Sequence, residues 1–252
     1  MGRGRARVQQ VVSKRMIEKT DNGAWVVPEA FPYYQRSARV PMKKLLAGIE
    51  DFHKNVRPSY RERFAHLALG QAPDCLLIAC SDSRVVPNLF ASTEPGDMFV
   101  VRNVGNLVPP CDHTGRSVTD RSEGAAVEFA LDVLNVRDIV VCGHSECGAM
   151  RALQAGAVPE TAPNLREWLD VGKATLERAP HPGISAALAA HNRLSQDNVL
   201  QQLDNLRTYP AVRARLEAGS LAIHAWWFDL AAAEVLRFSP ERETFVPIVG
   251  GQ

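Results

Sequence analysis

Short apolar runs alternate with segments of helical period through the middle of the chain. Residues 74–79, 97–101 and 139–142 are mostly apolar and lack the strict alternation of a half-buried strand. Runs of this length suit strands that are buried on both faces of a parallel sheet. Residues 123–134 repeat apolar side chains at helical spacing. This order predicts an α/β fold in which helices flank a central, mostly parallel sheet.

The chain before the sheet is predicted to form an N-terminal helical arm. Residues 41–54 and 58–69 each begin with proline, which favours the start of a helix. Residues 1–40 precede them and are rich in arginine and lysine at their beginning. Such a run is more often a solvated or partner-packed arm than a targeting peptide or an anion-docking element. We therefore divide the chain into an arm, residues 1–40, and one folded domain, residues 41–252.

The last third of the chain is predicted to be mainly helical before it returns to the sheet. Residues 165–178 and 184–208 are amphipathic, and a proline follows each segment. Residues 221–228 are apolar apart from His224, which favours a buried strand. Residues 234–238 suit a second strand after a short turn. These two segments predict a C-terminal strand pair at one edge of the sheet.

The composition of the chain argues against several classes of binding partner. The chain has 252 residues, a hydrophobic fraction of 46% and a formal net charge of +1, so it lacks the basic excess of a nucleic-acid-binding protein. No apolar run reaches the length of a membrane span, and no apolar core follows the charged N-terminus, so neither a membrane partner nor secretion is expected. Five cysteines without a secretory signal suggest thiols that bind metal or pack in a cytoplasmic protein.

The candidate chemistry centres on a turn after the third apolar run. Residues 143–148 read Gly-His-Ser-Glu-Cys-Gly and place His144 and Cys147 three positions apart. Cys80 follows the first apolar run. Ligands of α/β sheets bind beyond the carboxyl ends of the strands, so the three side chains are expected to meet, with the two glycines easing the turn. One imidazole and two thiolates suit zinc, and three protein ligands leave a fourth position for water.

Asp82 and Arg84 are candidates for a second role at this site. Positions two apart in an extended segment point the same way, so Cys80, Asp82 and Arg84 are expected to face one cleft. An arginine beside a carboxylate keeps it ionised and aimed. Asp82 could then accept a hydrogen bond from a metal-activated water, or bind the metal itself. The structural alternative is that Asp82 caps a short helix that starts at Ser83.

The remaining cysteines and histidines are not expected to bind metal. Cys75, Cys111 and Cys142 fit the pattern of small, packed side chains. No other histidine has a partner at ligand spacing. His113 lies in a polar loop, where a single histidine is more often solvated than a proton shuttle.

Together these motifs resemble the β-class carbonic anhydrases. That family combines Cys-x-Asp-x-Arg with a downstream His-x-x-Cys, which here are residues 80–84 and 144–147. The similarity covers about residues 43–240 and leaves the arm outside. The resemblance implies reversible hydration of CO₂ to bicarbonate and a proton. It also implies a Zn²⁺ ion on Cys80, His144 and Cys147 and a catalytic pair formed by Asp82 and Arg84.

The resemblance further implies an open metal site and a substrate pocket. Gln71 stands nine residues before the first cysteine ligand, as in members whose zinc keeps a water molecule as its fourth ligand. Leu77 stands where bicarbonate-inhibited members have tryptophan. Asp82 would therefore bind zinc only in a closed form. The substrate pocket is expected to include Gln71 and an apolar lining of Phe99, Val104 and Phe129, the last of which is usually tyrosine in the plant-like form.

The resemblance also implies an assembly. Members form dimers with active sites at the subunit boundary, often doubled to tetramers, so a homodimer or homotetramer is expected. Two alternatives remain open at this point. One is a hydrolase of CS₂ or COS on the same scaffold, and the other is a non-catalytic, zinc-stabilised interaction module.

Overall fold

The structure, a computed structural model, describes three stretches of the chain: residues 18–19, 25–26 and 41–248. Contacts divide the chain into two units, residues 1–62 and 63–252. In the first unit, β1 (Glu18–Lys19) pairs antiparallel with β2 (Trp25–Val26). The remainder of the predicted arm lies outside the described residues, so the packing expected for it stays a prediction.

A helical run begins where the sequence predicts one. It consists of α1 (Pro41–Asp51), a π-helical turn (Phe52–Val56) and α2 (Arg57–Leu67). The expectation of two separate helices is wrong, because the run has no break. Pro58 has no N–H with which to continue α-helical bonding. The wider turn before it, in which Arg57 N–H donates to Phe52 O, carries the helix past the proline.

Helix α1 presents apolar side chains to solvent. Met42, Leu45, Leu46 and Ile49 are each more than half exposed, and Leu45 is 62% exposed. They recur at helical spacing and therefore share one face. Grouped apolar side chains on the surface of a single chain mark a surface for contact with another protein.

A six-stranded sheet in the order β4-β3-β5-β6-β7-β8 forms the centre of the second unit. Its strands are β3 (Cys75–Cys80), β4 (Met98–Asn103), β5 (Asp138–His144), β6 (Ala222–Asp229), β7 (Glu234–Ser239) and β8 (Thr244–Pro247). Strands β3 to β6 are parallel, and β7 and β8 are antiparallel. The predicted fold class is confirmed. The sheet ends in β4 on one side and in β8 on the other. Strand β8 was not predicted from the sequence, because it is short and ends in proline.

The register of the sheet brings the predicted ligands to one edge. Strands β3 and β5 are neighbours, and Ala79 pairs with Cys142. Cys80 and His144, which are the last residues of these two strands, therefore leave the sheet at the same end. Both strands are buried along almost their whole length, which explains why they are apolar without alternation.

Helices form the connections around the sheet. They are α3 (Pro87–Phe90), α4 (Ser122–Glu128) with a π-helical turn (Phe129–Val133), α5 (Gly148–Ala155), α6 (Pro163–Asp170), α7 (Lys173–Glu177), α8 (Ala190–Arg207) and α9 (Pro210–Glu217). Within the part of the chain that is described, none of these helices is long and apolar enough to cross a membrane.

Two predicted helices have different bounds in the structure. The one expected over residues 165–178 is divided into α6 and α7 before Lys173. Gly172 lies at this division, where a Cβ would be 2.9 Å from Leu153 Cδ2, and glycine also weakens a helix. The helix expected from residue 184 begins at Ala190, because the residues before it form turns.

Helix α8 packs against β5 and β6 with a face that is largely polar. Buried polar residues recur every three or four positions along it: Asn192, Ser195, Asn198, Gln202 and Asn205. Leucine and valine side chains lie beside this stripe and join the main apolar core. Buried amides and hydroxyls are costly unless they are hydrogen-bonded, so this face must meet particular partners on the segments that it covers.

Gly143→Ala tests how closely α8 and β6 enclose the end of β5. A Cβ at residue 143 would lie 2.6 Å from Val199 Cγ2 and 3.2 Å from Trp227 Cδ1. We expect this overpacking to lower the free energy of unfolding by about 1–3 kcal/mol, and Val199→Ala in the same chain to recover part of the loss. Gly148→Ala is the control, because a Cβ there has no neighbour within 4 Å.

Urea unfolding at one fixed protein concentration measures all of these variants. Equal stabilities of Gly143→Ala and Gly148→Ala would contradict the close approach of the three elements.

Candidate metal centre

Three potential ligand atoms meet at the carboxyl end of the sheet. Cys80, His144 and Cys147 each offer one donor atom, and these atoms lie within 4.8 Å of one another. Cys80 ends β3, His144 ends β5, and Cys147 precedes α5. All three side chains are buried. Among the described residues, this is the one such group in which three side chains are close enough to share an ion.

The turn between His144 and Cys147 depends on an unusual backbone conformation at Glu146. Its φ is +59°, in the left-handed region that residues other than glycine rarely adopt. The glycines on either side do not supply this conformation, contrary to the sequence-based expectation. Gly143 is needed for its close approach to α8 and β6, while Gly148 opens α5 and has open space at its Cβ position.

The imidazole of His144 has one ring nitrogen available to bind a metal ion. Its Nδ1 lies 2.8 Å from the carbonyl oxygen of Ser145, which can only accept, so Nδ1 carries the proton. Nε2 is buried and has no hydrogen-bond partner among the described residues. A buried nitrogen lone pair without a partner is costly, and a cation would satisfy it.

The two thiols complete a donor set that fits zinc. A hydrogen bond from Cys147, together with contacts to His144 and to the Gly105 N–H, lowers the pKa of Cys80 to about 4. The same bond to Cys80, together with burial, raises the pKa of Cys147. A divalent cation that recruits both sulfurs binds them as thiolates and releases their protons. Two thiolates and one neutral imidazole are ligands of a zinc site with an open position.

Asp82 and Arg84 form a two-point ion pair beside these ligands. Arg84 Nε donates to Asp82 Oδ1 at 2.9 Å, and Nη2 donates to Oδ2 at 2.7 Å. The guanidinium hydrogen bonds hold the pKa of Asp82 at about 2. The carboxylate is thus ionised at neutral pH. Its Oδ2 lies 4.0 Å from His144 Nε2, at the edge of the ligand group.

Asp82 and Arg84 lie together for a different reason from the one predicted. Residues 82–84 form a turn rather than an extended segment, and Arg84 N–H donates to Asp82 Oδ1 at 3.0 Å. The turn, not strand alternation, brings the two side chains together. No helix starts at Ser83, since α3 begins at Pro87, so the helix-capping alternative for Asp82 is wrong.

Arg102 is a supporting residue that the sequence analysis missed. It lies on β4 and donates to the main-chain oxygens of Cys80, Asp82 and Val85, at 3.1, 2.7 and 2.8 Å. These bonds hold the loop that carries the ion pair. The available signal was a charged side chain directly after the predicted strand of residues 97–101.

Buried polar residues of helix α8 form hydrogen bonds to the segments that contain the ligands. Ser195 Oγ donates to His144 O at 2.8 Å, and Asn198 Nδ2 donates to Gly105 O at 3.1 Å. The N–H of Gly105 in turn lies 3.4 Å from Cys80 Sγ. The sequence contained a signal for this support, namely Asn, Ser and Gln at three- and four-residue spacing within a helix.

Within one chain, the residues expected to line the substrate pocket lie in separate places. Phe99 pairs with Leu76, four residues before Cys80 on β3. Phe99 and Phe129 are stacked with their ring centroids 5.7 Å apart, and Val104 is 40% exposed. Gln71 lies elsewhere, in a cleft of about 410 Å³ that it shares with Phe64 and Leu67. That cleft contains none of the three metal ligands.

The other cysteines and histidines lie outside the ligand group, as expected. Burial raises the pKa of Cys142 to about 12 and that of Cys75 to about 11, so both remain protonated thiols. Cys111 donates to Gly115 O. His191 is also outside the ligand group, but it lies beside the turn that contains His144 and Cys147. Its Nε2 is 3.2 Å from Glu146 Oε1, a proximity that the sequence spacing did not reveal.

Comparison with known proteins places this site in a family. The carbonic anhydrase family profile matches residues 75–235, more than half of the chain. A carbonic anhydrase of Synechocystis is 39% identical over 214 residues, which are 81% of this chain and 74% of that protein. One of Pseudomonas aeruginosa is 40% identical over 210 residues, which are 82% of this chain and 92% of that protein.

Solved structures agree with these relatives. The β-carbonic anhydrase CcaA is similar with a TM-score of 0.73 and 38% identity, over 82% of this chain and 99% of that one. A tetrameric β-carbonic anhydrase of Sordaria macrospora is similar with a TM-score of 0.60 and 30% identity, over 78% and 93%. These relatives do not favour the CS₂ or COS hydrolase or the non-catalytic module. The chain therefore belongs to the β-carbonic anhydrases and is a zinc enzyme that reversibly hydrates carbon dioxide to bicarbonate.

Proposed function

We propose that Cys80, His144 and Cys147 hold the zinc ion and that Asp82, fixed by Arg84, is the catalytic carboxylate. One observation supports the second role most directly. Asp82 Oδ2 lies 4.0 Å from His144 Nε2 while Arg84 binds both carboxylate oxygens. The carboxylate is therefore at the ligand group but is satisfied by its own partner, which leaves the fourth metal position open.

The chain's own residues define how the reaction is set up. When bound, zinc would supply the chemistry of a Lewis acid that lowers the pKa of a water molecule and so provides the hydroxide nucleophile. Ionised Asp82 can only accept hydrogen bonds, so it would favour beside it a group that has a proton to donate, such as hydroxide or water. Arg84 keeps Asp82 ionised and directed away from the metal.

The proposed substrate contacts are apolar side chains from two copies of the chain. Val104 precedes Gly105, whose N–H faces Cys80 Sγ, and is the apolar contact that the chain would offer to CO₂ at its own metal site. Phe99 and Phe129 stack on each other, but Phe99 pairs with Leu76, four residues before Cys80 on β3, so both are proposed to reach the active site of a second copy. Gln71 has amide N–H groups that can donate to a substrate oxygen, and its cleft is separate from the ligands of its own chain. We propose that Gln71 serves the active site of a second copy.

A second copy of the chain is the proposed partner of the exposed apolar surfaces. The residues of α1 that face solvent, together with half-exposed Val104 and Phe129, would be covered in a homodimer. The Sordaria macrospora relatives are described as tetrameric, which supports a dimer of dimers. A complete pocket in this proposal needs both copies.

A cytoplasmic location is part of the proposal. All five cysteines are free thiols, and two of them are the proposed metal ligands. Thiols in this state persist in a reducing compartment, where disulfides are rare.

Asp82→Ala tests the catalytic role of the carboxylate. We expect the turnover number for CO₂ hydration to fall by about 100-fold, because the nucleophile loses the group that orients it, while the zinc content stays at one per chain. Stopped-flow hydration and metal analysis measure the two properties. Asp132→Ala is the matched control, since it also breaks an Asp–Arg pair, with Arg215 at 3.1 Å, and Asp132 does not belong to the ligand group. Unchanged turnover in Asp82→Ala would refute the role.

Leu45→Glu tests the proposed dimer. A charge on the exposed apolar face of α1 should weaken association by about 2 kcal/mol or more, roughly 30-fold in the dissociation constant, and activity should fall with the dimer fraction. Sedimentation velocity and CO₂ hydration at matched concentrations measure both. Lys44→Glu, a charge change on an exposed neighbour in the same helix, is the control. A stable monomer of Leu45→Glu with full activity would overturn the proposal.

A further inference from the structure

Glu146, which has a left-handed backbone conformation in the turn between His144 and Cys147, is held in place by helix α8. Glu146 has φ +59°, which costs free energy for a residue with a Cβ and persists only where surrounding contacts enforce it. Glu146 is adjacent to the metal ligand Cys147, so a change in its backbone would move the turn. The contacts that enforce its conformation therefore matter to the site.

Asn192, in the first turn of α8, makes a two-point contact with Glu146. Asn192 Oδ1 accepts the backbone N–H of Glu146 at 2.7 Å, and its Nδ2 donates to Glu146 Oε1 at 3.1 Å. A backbone N–H can only donate, so Oδ1 must face it and Nδ2 must face the carboxylate. One buried side chain thus fixes both the main chain and the side chain of Glu146.

Two further residues meet the same carboxylate from other sides. His191 Nε2 lies 3.2 Å from Glu146 Oε1, and Arg151 pairs with Oε2. The Arg151 pair is more exposed, at 53% for the arginine side chain, so its contribution is expected to be small. The first turn of α8, a helix of 18 residues, also favours the negative charge of the Glu146 carboxylate, because the helix dipole is positive at that end.

The main chain of Glu146 is in direct contact with the ion pair at the metal site. Arg84 Nη2 donates to Glu146 O at 3.0 Å and to Asp82 Oδ2 at 2.7 Å. One guanidinium nitrogen therefore joins the carbonyl of the turn to the carboxylate. If the Glu146 peptide rotated, its carbonyl would leave Arg84, and Arg84 would lose one of the contacts that set its position.

We propose that Asn192 is a positioning residue for catalysis, which acts through Glu146 and Arg84 on the orientation of Asp82. The inference rests on the proposed function of Asp82. Asn192 would then join the residues that determine turnover, although it is outside the metal-binding motifs and 45 or more positions along the chain from the turn.

Asn192→Ala is the first test. It removes both contacts to Glu146, and we expect kcat to fall roughly 10-fold, as for other outer supports of metal sites, with zinc content unchanged. Arg151→Ala is the matched control, because it removes only the exposed contact to the same carboxylate; it should retain nearly full turnover. A crystal structure of Asn192→Ala should show the Arg84 Nη2 to Glu146 O bond lost or lengthened.

A double-mutant cycle separates positioning from a general structural effect. If Asn192 acts through Asp82, Asn192→Ala should lower the residual kcat little or not at all when Asp82→Ala is already present. A structural defect would lower kcat by the same factor in both backgrounds. The pair E146Q/N192D reverses the polarity of the side-chain bond and keeps the acceptor for the Glu146 N–H, so it should restore most of the turnover lost in Asn192→Ala.

The outcomes distinguish this inference from the proposal on which it rests. Full turnover in Asp82→Ala would remove the proposed function of the carboxylate. Reduced turnover in Asp82→Ala with full turnover in Asn192→Ala would overturn the positioning role alone. Equal effects of Asn192→Ala in both backgrounds, or loss of zinc from Asn192→Ala, would also overturn it.

Discussion

The hydrogen bonds between the buried polar face of α8 and two loops are the constraint on which the site depends. One loop contains His144 and Cys147, and the other contains Gly105, whose N–H faces Cys80. A buried amide costs about 1–3 kcal/mol when its partner is missing, more than a made bond contributes. A shift of α8 along its axis would leave several such groups unpaired. The helix therefore has one favoured position, and that position sets where the ligand-bearing segments lie.

The electrostatics of the ligand group explain why the proposed mechanism needs a carboxylate near the metal but not bound to it. Two thiolates cancel the charge of Zn²⁺, so a bound water is acidified less than at a three-histidine site. Asp82 offers a hydrogen-bond acceptor that favours the donor form of the nucleophile. In the proposed mechanism, Arg84 prevents the same carboxylate from completing the metal shell, because it already binds both oxygens. Arg84 thus separates two competing uses of Asp82, binding of the metal and orientation of the nucleophile.

The fold class and the ligand set were predictable because they depend on local patterns. Apolar runs identified the central strands, and Cys80, His144 and Cys147 follow two of them at the same edge. The turn at residues 82–84 and the left-handed Glu146 were not predictable, because neither contains a glycine to mark an unusual backbone. The polar face of α8 was read as an ordinary amphipathic pattern, since sequence alone does not say which side of a helix is buried. The separate location of Gln71 depends on tertiary structure, and it agrees with the active sites at the subunit boundary that the family resemblance implies.

The coordination of the zinc ion shows whether Asp82 leaves the fourth metal position open. A crystal structure of the zinc-loaded enzyme near neutral pH, with the metal located by anomalous scattering, is the measurement. We expect zinc bonded to Cys80 Sγ, His144 Nε2 and Cys147 Sγ, with a non-protein fourth ligand and with Asp82 paired to Arg84. A carboxylate oxygen of Asp82 in the metal shell, with its bonds to Arg84 broken, would refute the open site.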